Sequence, residues 1–549
     1  MYTLEEIRDF KGKYPKQLWH LAGSEMWERF CFYGMRGMLV VFMVSELGLE
    51  SKVANLQYGA IQAFIYAFTF IGGLFADKIL GFQKSLYWGA AMMILGGLVI
   101  AFSPHDLFYI GICFSIIGTG FFKPNISTMV GQLYHEGDAR RDAGFSLFYS
   151  GINAGALLGG SLMIWVGKHY NWRLAFLLVS VVMAISLFNF WFYRKHMGPI
   201  GLSPLRDTNS PKTQRLKELA VYIGTLLTIP LILLLVTNTQ YTDIFMYVIG
   251  PVALAYLLVI MRGFTDADGT KGTSLWLMVT AGLILVVGAL LIMDALGHGA
   301  GERVQQLAWA ATGIALLVAM IKGNRVQKRL HAALVFILFS IVFWALYEQA
   351  GGSLSIFALN NVRDRFLGFI TIDPNVVNNG ANALFIILFA PLVGLLWLWL
   401  GKRKLEPNSV VKFGLGFLLL GAAFYVFYST VFFATSDGLT SMNVFVLAYL
   451  VITLGELCLS PIGLSLMTKL SPQKIQGLMM GMWFLASAYG QYAAGLLGAD
   501  ISVPDSTPNY DKLVAYTNGY HEFAFYGVAL GIVLIAVSPL VRRLMKGVH

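Results

Sequence analysis

The sequence predicts an all-α, polytopic membrane protein built from two six-helix bundles with additional helices inserted between them. Hydrophobic residues make up 57% of the 549 residues, charged residues make up only 12%, and the mean hydropathy is +0.68. A soluble domain carries about 25% charged residues. Apolar runs of roughly 18 or more residues recur along the chain, and each is long enough to cross a hydrocarbon core about 30 Å thick. The alternating segments of about ten residues that build membrane β-barrels do not occur, so the spans are predicted to be helical.

The predicted spans follow one another along the whole chain, and we count about 16 of them. They lie approximately at 18–45, 54–77, 86–103, 107–130, 145–167, 174–193, 216–236, 243–261, 274–293, 305–321, 331–355, 379–400, 413–432, 441–466, 477–499 and 521–541. The alternative is about 14 spans, in which two of the four runs between 216 and 321 do not cross the membrane; the run at 305–321 is short for a membrane span. Either count leaves the sidedness of the following helices unchanged, because both insert an even number of helices.

The distribution of basic residues predicts the orientation. If the N-terminus is cytoplasmic, alternation of the spans places most of the 39 Lys and Arg on the cytoplasmic side, including those in the loop at 194–217. This bias is what the positive-inside rule expects. We therefore predict a multi-pass protein of the cell (cytoplasmic) membrane with both termini cytoplasmic and the lipid bilayer as its surroundings. The net charge of +10 then requires no nucleic acid partner.

The order of the spans predicts three regions: a six-helix bundle at 1–196, a linker with inserted transmembrane helices at 197–329, and a second six-helix bundle at 330–549. Two such halves around a cavity at the bilayer midplane are typical of secondary transporters. The fourth spans of the two halves also match in character. "FFKPN" contains Lys123 and "GELCLSPIG" contains Glu456, each followed by a proline.

Four ionisable residues lie in the first span, within "GSEMWERFCFYGMRG" at 23–37. Glu25, Glu28, Arg29 and Arg36 fall within an arc of roughly 100° on one helix face. A charge at the bilayer centre costs about 2.5–3.5 kcal/mol even on insertion scales, so this face must line a cavity or pair with other helices. The alternative to a functional role is a structural ion-pair cluster in which both glutamates bind Arg29.

The predicted intramembrane charges differ in sign between the two halves. The first half carries Arg29, Arg36, Lys123, Glu25 and Glu28, and the second half carries Glu348, in "WALYEQ", and Glu456. A cavity between the halves is therefore expected to have a cationic wall opposite an anionic wall. The complementary ligand is a zwitterion with a carboxylate and an ammonium group at opposite ends. Intramembrane carboxylates near cations also suit proton relays.

The sequence lacks the motifs that are typical of other classes of protein. No nucleophile elbow, H-E-x-x-H motif or phosphate-binding loop occurs, so we predict no enzyme and no primary pump. The three cysteines lie in apolar runs, which indicates packing residues, and we predict no metal and no cofactor. A channel is disfavoured because two unlike halves around a mixed-sign cavity suit alternating access better. No obligate protein partner is predicted.

Several motifs carry a family resemblance. "EMWERFCFYG" resembles the E-x-x-E-R-F-x-Y-Y-G motif of the proton-dependent oligopeptide transporter (POT/PTR) family of the major facilitator superfamily. "GGLFADKILG" and "FYSGINAG" resemble the family signatures of the second and fifth spans, and "MGMWFLASAYG" extends the resemblance into the second half. The resemblance implies a major facilitator fold and a proton-coupled symporter that imports di- and tripeptides by alternating access.

The resemblance also implies site residues at the matching positions. The residues implied in proton coupling are Glu25, Glu28, Arg29, Lys123 and Glu348. The residues implied in substrate binding are Arg36, Tyr33, Tyr66, Lys123, Asn153, Trp344, Asn382, Glu456, Trp483 and Ser487. In this assignment Arg36 and Lys123 hold the peptide carboxylate, and Glu456 holds the amine.

The chain departs from the family pattern at three places. Phe32 replaces the first tyrosine of the first-span motif, "ANALF" replaces the usual Asn-Pro sequence at Asn382, and four apolar runs stand where the family typically inserts two helices. The alternative function is therefore a proton-coupled carrier of a non-peptide solute, such as nitrate or a drug-like or other small polar molecule.

Overall fold

The computed structural model describes residues 2–135, 138, 140–206, 210–266, 268–299 and 301–545, which are helical along most of their length. The all-α, polytopic prediction is confirmed. Thirteen helical segments of the described residues are long and apolar enough to cross a membrane. Three further helices of 25 to 30 residues also lie on predicted spans. The number of helices that cross the membrane remains a prediction.

The helices form three successive sets. A short α1 (Leu4–Arg8) precedes the first helix group, which comprises α2 (Lys16–Ser45), α3 (Ser51–Phe75), α4 (Phe82–Phe102), α5 (Phe108–Gln132), α6 (Arg140–His169) and α7 (Trp172–Tyr193). The inserted helices are α8 (Pro211–Leu227), α9 (Ile229–Thr237), α10 (Thr239–Met261), α11 (Leu275–Ala295) and α12 (Glu302–Lys322). The second helix group comprises α13 (Arg325–Tyr347), α14 (Ser353–Asn361), α15 (Pro374–Lys402), α16 (Ser409–Ser429), α17 (Met442–Leu470), α18 (Gln476–Asp500) and α19 (Asn509–Leu544).

Shorter elements connect or extend these helices. A π-helical turn (Ala76–Leu80) continues α3, and 3₁₀ turns occupy Arg194–Met197, Glu348–Gly351, Thr430–Phe433 and Gln473–Ile475. Strands β1 (Arg365–Phe366) and β2 (Ile370–Thr371) pair in an antiparallel hairpin between α14 and α15. The end of the molecule at which α2 begins and α19 ends is called the terminal end, and the opposite end is called the distal end.

Two predicted runs are interrupted in the structure. The run at 216–236 is divided between α8 and α9, and Pro230 lies in the first turn of α9, where its missing N–H breaks no helical hydrogen bond. The run at 331–355 ends as an α-helix at Tyr347 and resumes as α14 after Gly351 and Gly352. Glycine disfavours a continuous helix at this position. The interruption places Glu348 in a 3₁₀ turn inside the molecule.

The two helix groups meet along two helix pairs, α3 with α18 and α6 with α15. In the first pair a Cβ on Gly59 would lie 2.7 Å from the Cα of Gly495, so the backbones approach more closely than any side chain would allow. Inserted helix α10 contacts both α3 and α18. It receives a hydrogen bond on Asp243 from the hydroxyl of Tyr492.

Polar contacts join the two groups at the distal end. Ser51 Oγ donates a hydrogen bond to Asp505 Oδ1 at 2.6 Å, and Asn55 Nδ2 donates one to Ser502 Oγ at 3.1 Å. On the other side of the interface Lys168 Nζ lies 2.7 Å from Asp373 Oδ2. Because both seams between the groups carry such contacts, the structure is closed at its distal end.

Candidate functional site

A cavity lies between the two helix groups and contains most of the residues that the sequence implied for substrate binding. It encloses about 950 Å³ of space outside the protein atoms, including its mouth. The implied residues that line it are Tyr33, Arg36, Tyr66, Asn153, Trp344, Glu348, Asn382 and Glu456. They come from α2, α3 and α6 on one wall and from α13, α15, α17 and the 3₁₀ turn after α13 on the other.

Arg36 forms the cationic part of the first wall. Its Nη2 pairs with Glu348 Oε2 of the second helix group, and its Nε donates a hydrogen bond to Tyr58 Oη at 2.8 Å. Glu348 reaches this position because α13 ends one residue before it. Both side chains are largely buried. Removing one partner of such a pair leaves an uncompensated buried charge, so the pair couples the two groups at the cavity.

Glu456 forms the anionic part of the second wall, on α17. Its Oε2 accepts hydrogen bonds from Tyr347 Oη at 2.5 Å and from Asn382 Nδ2 at 3.0 Å. Among the described residues, no Lys or Arg nitrogen lies within 4.0 Å of this carboxylate. Its hydrogen-bond donors are neutral, so its carboxylate has no countercharge at ion-pair distance among the described residues.

Lys123 is not among the residues that line the cavity, and its side chain lies against the aromatic rings of Tyr66 and Phe32. Its Nζ is 4.5 Å from the centre of the Tyr66 ring and 5.7 Å from that of Phe32. Within the part of the chain that the structure describes, Lys123 pairs with no carboxylate at ion-pair distance. Tyr66 itself lines the cavity, so one residue in contact with Lys123 borders this space.

The remaining charges of the first span lie outside the cavity lining. Arg29 Nε is 3.3 Å from Glu25 Oε1, and Arg29 Nη2 pairs with Glu28. All three side chains are at most 2% exposed. Helix α6 covers them, since a Cβ on its Gly155 would lie 3.1 Å from the Cβ of Arg29. The expectation of a cavity-lining face therefore holds only for Arg36 and its neighbour Tyr33.

This geometry matches the ion-pair cluster that the sequence left open as an alternative. Glu25 Oε2 and Glu28 Oε1 accept no hydrogen bond from any described residue. Each glutamate therefore keeps one oxygen available to a proton or to water. The proton-coupling role of these residues stays a prediction.

Trp483 and Ser487 lie on α18 away from the lining of this cavity. The Trp483 ring packs against α17, where a Cβ on Gly463 would lie 2.1 Å from Trp483 Cζ2. The hydroxyl of Ser487 donates to the carbonyl oxygen of Trp483 at 3.4 Å. This face of α18 is directed towards its neighbour α17, and the implied contact of these two residues with substrate stays a prediction.

Several polar residues of the site were not predicted from the sequence. They are Tyr58, which binds Arg36, Tyr347, which binds Glu456, and the cavity-lining Tyr149, Asn378, Asn379 and Tyr449. Spacing offered a signal for one of them, because Tyr58 lies eight residues before Tyr66 and so shares its side of α3. The described residues contain no group of His, Cys, Asp and Glu side chains arranged to hold a metal ion.

Comparison with known proteins assigns the family. A model described as PTR2, POT family, matches residues 83–209 and 300–513. The chain belongs to the POT family. The family resemblance of the sequence motifs is thereby confirmed, and its matches lie in both helix groups.

Full-length relatives of this POT family chain are also known. It is 32% identical to the peptide transporter YePEPT of Yersinia enterocolitica subsp. palearctica, with 98% of this chain and 96% of the relative covered. It is 30% identical to a di-/tripeptide transporter of Lactococcus lactis subsp. cremoris, with 97% of each chain covered. A crystal structure of a mutant peptide transporter POT in complex with alafosfalin is 29% identical, with a TM-score of 0.77 and 100% of both chains covered. The major facilitator fold predicted from the motifs is therefore confirmed.

Proposed function

We propose that this POT family protein is a proton-coupled symporter that imports di- and tripeptides by alternating access. The observation that carries the proposal is the cavity between the helix groups, whose charges are segregated by sign. Glu456 on one wall has neutral partners only, while Arg36 and Lys123 provide positive charge on the other side. A peptide zwitterion complements this arrangement, with its ammonium group at Glu456 and its carboxylate near Arg36 and Lys123.

The relatives support the same substrate class. The proteins matched over nearly the whole chain are named as peptide or di-/tripeptide transporters, and the solved structure with alafosfalin is a peptide transporter. Tyr33, Tyr66, Asn153, Trp344 and Asn382 line the cavity beside the charged groups and are proposed to contact the peptide.

Proton coupling is proposed to use two groups of carboxylates. Glu25 and Glu28 share Arg29 within the first helix group, close to Lys123, and Glu348 pairs with Arg36 between the groups. Intramembrane carboxylates that pair with cations are typical of proton relays. Protonation of Glu348 would release Arg36 for the peptide carboxylate, which links proton binding to substrate binding.

The orientation and regional organisation belong to the same proposal. The terminal end is placed in the cytoplasm of a cell whose cytoplasmic membrane contains the protein, so the closed distal end faces outwards. The functional regions are proposed to be 1–196, 197–329 and 330–549. A carrier of this kind needs no enzymatic activity.

Uptake of labelled di-alanine by counterflow into proteoliposomes tests the substrate class, with unlabelled peptides and non-peptide solutes as competitors. If the site binds both charged ends of the peptide, amidating the carboxyl end or acetylating the amino end of a competing peptide should weaken its binding. The expected loss of affinity is about ten- to hundred-fold, or roughly 1–3 kcal/mol of binding free energy in a hydrated cavity. Competition by nitrate or another solute alone would support the alternative function.

Two variants assign the ends of the peptide. Arg36→Ala should remove the penalty for amidation, because the group that lost its partner is then absent, and Glu456→Ala should likewise remove the penalty for acetylation. Each variant serves as the control for the other. In Arg36→Ala the loss of affinity caused by acetylation should persist, and in Glu456→Ala the loss of affinity caused by amidation should persist. If amidation weakens binding equally in wild type and in Arg36→Ala, the carboxylate assignment is wrong.

A further inference from the structure

The hairpin between α14 and α15 has an uncharged, apolar tip. The segment from Phe366 to Ile372 reads "FLGFITI" and contains no charged or amide side chain. Phe366 packs against the core. The next three apolar side chains are exposed: Leu367 by 55%, Phe369 by 75% and Ile370 by 41%. Turns in water are built mainly from Gly, Pro, Asn, Asp and Ser, so a group of exposed apolar side chains at a turn is typical of an interaction surface.

The backbone of this turn is strained at Leu367. Leu367 has a φ of 52° and Gly368 a φ of 82°, so the first two residues of the loop between the strands lie in the left-handed region. Glycine adopts this region freely and asparagine tolerates it, whereas leucine is rare there. Among the described residues, Lys404 is the other non-glycine residue with a positive φ, and its side chain is polar. Turn formation does not account for a leucine at this position, whereas a contact of its side chain with an apolar partner does.

A hydrogen bond fixes the tip against the start of α17. The backbone N–H of Leu367 donates to Asn443 Oδ1 at 2.8 Å, and Asn443 is the second residue of that helix. Leu447 lies four residues further along and shares the side of the helix on which Asn443 lies. It is 48% exposed and belongs to a segment, Met442–Leu459, that is apolar enough to cross a membrane. The tip therefore lies above the lipid-facing side of α17, about 6 Å of helix rise from Leu447.

The neighbouring helix α16 carries apolar surface to the same end of the molecule. It continues into the 3₁₀ turn Thr430–Phe433, whose Phe432 and Phe433 are exposed. Two residues later, Thr435 Oγ1 accepts a hydrogen bond at 2.7 Å from Nη2 of Arg363, which precedes the hairpin. The exposed apolar surface of the spanning helices is thus continuous with that of the hairpin, and this continuity favours lipid as the partner of the tip.

We propose that the hairpin is a membrane anchor, in which Leu367, Phe369 and Ile370 lie in the interfacial region of the bilayer leaflet at the distal end. Burial of their apolar surface drives the insertion, as it does for other interfacial segments. Directly after the hairpin, Asp373 caps α15 and pairs with Lys168 of the first helix group. The bilayer therefore holds the second helix group beside one of the two seams that close the distal end. The anchor goes beyond the proposed function, since it depends neither on the solute nor on proton coupling.

Nitroxide labels measure the depth of the tip in proteoliposomes of phosphatidylcholine and phosphatidylglycerol. A label on Phe369→Cys is compared with one on Leu447→Cys, in the apolar segment of α17, and one on Ser506→Cys, in an exposed distal loop. The unsubstituted protein, whose three cysteines are buried, gives the background. The measured quantity is the ratio of collision rates with oxygen, which concentrates in the bilayer, and with a nickel chelate, which stays in water. We expect the ratio at position 369 to exceed that at position 506 roughly threefold or more, because interfacial segments bury about 5–10 Å into the bilayer.

Two variants separate membrane contact from the geometry of the turn. Leu367→Asn suits the left-handed backbone but removes an apolar side chain from the tip, so it should lower the collision ratio at position 369 about twofold or more. Lys404→Asn is the matched control, because it makes the same change at the other strained residue, in an exposed loop at the terminal end, and should leave the ratio unchanged. If Leu367→Asn does not fold, Leu367→Gly replaces it, since glycine also suits this backbone.

The outcomes decide between lipid, water and a protein partner. Equal collision ratios at positions 369 and 506 in proteoliposomes would overturn the anchor, and so would an unchanged ratio in a folded Leu367→Asn or Leu367→Gly protein. A tip that is accessible to the nickel chelate in proteoliposomes but protected in native membranes would overturn it in favour of a protein partner. Because no step measures transport, absence of di-alanine counterflow would contradict the proposed function and leave the anchor intact.

Discussion

Two arginines of α2 are buried in different electrostatic settings. Arg29 is held by two glutamates of its own helix, whereas Arg36, two turns further along, is held by Glu348 of the other helix group. The first arrangement stays intact whatever the groups do, because all its members lie on α2. The second is broken whenever the groups separate at Arg36. Arg29 therefore keeps its ion-pair partners in any arrangement of the two groups, whereas Arg36 is able to change its partner.

At the residue scale, Glu25→Gln and Glu28→Gln should each reduce pH-gradient-driven accumulation much more than counterflow. Accumulation requires proton movement, whereas exchange at equal pH does not, and a glutamine keeps the size of the side chain without its exchangeable charge. Uptake into proteoliposomes with and without an imposed pH gradient measures both. The control is Glu46→Gln at the end of α2, where the carboxylate accepts a hydrogen bond from Trp172 in an exposed position. Undiminished uphill uptake in both test variants would contradict the coupling role.

At the scale of elements, contact between α3 and α18 depends on small residues. Gly59 and Gly495 allow the two backbones to touch, and the hydrogen bonds of Ser51 and Asn55 to the segment after α18 follow from this close approach. The inserted helix α10 lies against the same pair of helices, one from each group. Closure at the distal end is therefore determined by helix packing as much as by polar contacts.

Gly59→Leu should open the distal end, because its side chain would overlap the backbone of Gly495. Spin labels at the exposed Lys52 and Ser506 report the separation of the two groups by pulsed electron resonance. We expect a longer mean distance in Gly59→Leu than in the otherwise unsubstituted labelled protein. Gly313→Leu is the matched control, since a Cβ there meets nothing within 4 Å. Identical distance distributions in both glycine variants would show that this contact does not control closure.

At the scale of the whole molecule, the unpaired charges belong to opposite helix groups. Lys123 lies on α5 and Glu456 on α17, and each lacks an ion-pair partner among the described residues in this distally closed structure. Paired charges that change partner between conformations are a common basis of switching, because each state is stabilised by contacts that the other lacks.

Lys123 and Glu456 should approach each other when the terminal end closes around substrate. Lys123→Met and Glu456→Gln should each abolish uphill transport, because each removes one member of the expected pair. Uphill uptake of both variants, with counterflow as the reference, tests this requirement. A structure closed at the terminal end with the two side chains far apart and no bridging water would contradict it.

Much of the fold was predictable from local sequence properties. The length and hydropathy of each apolar run determine that it is a long apolar helix, and these quantities depend only on neighbouring residues. The division of one run at Pro230 was not anticipated, although proline is a local signal. The family could also be identified from short motifs such as "EMWERFCFYG", because recognising a motif requires only the identity and spacing of neighbouring residues.

The sequence by itself determined an all-α membrane protein of the POT family and the types of charge at its centre. Only the tertiary structure decided which charges meet. It paired Arg36 with Glu348, enclosed Glu25 and Glu28 around Arg29 behind α6, left Glu456 with neutral donors, and directed Trp483 towards α17. The physical reason is that an ion pair depends on distances between residues far apart in the chain. Those distances follow from how helices pack and where they break, which no local pattern contains.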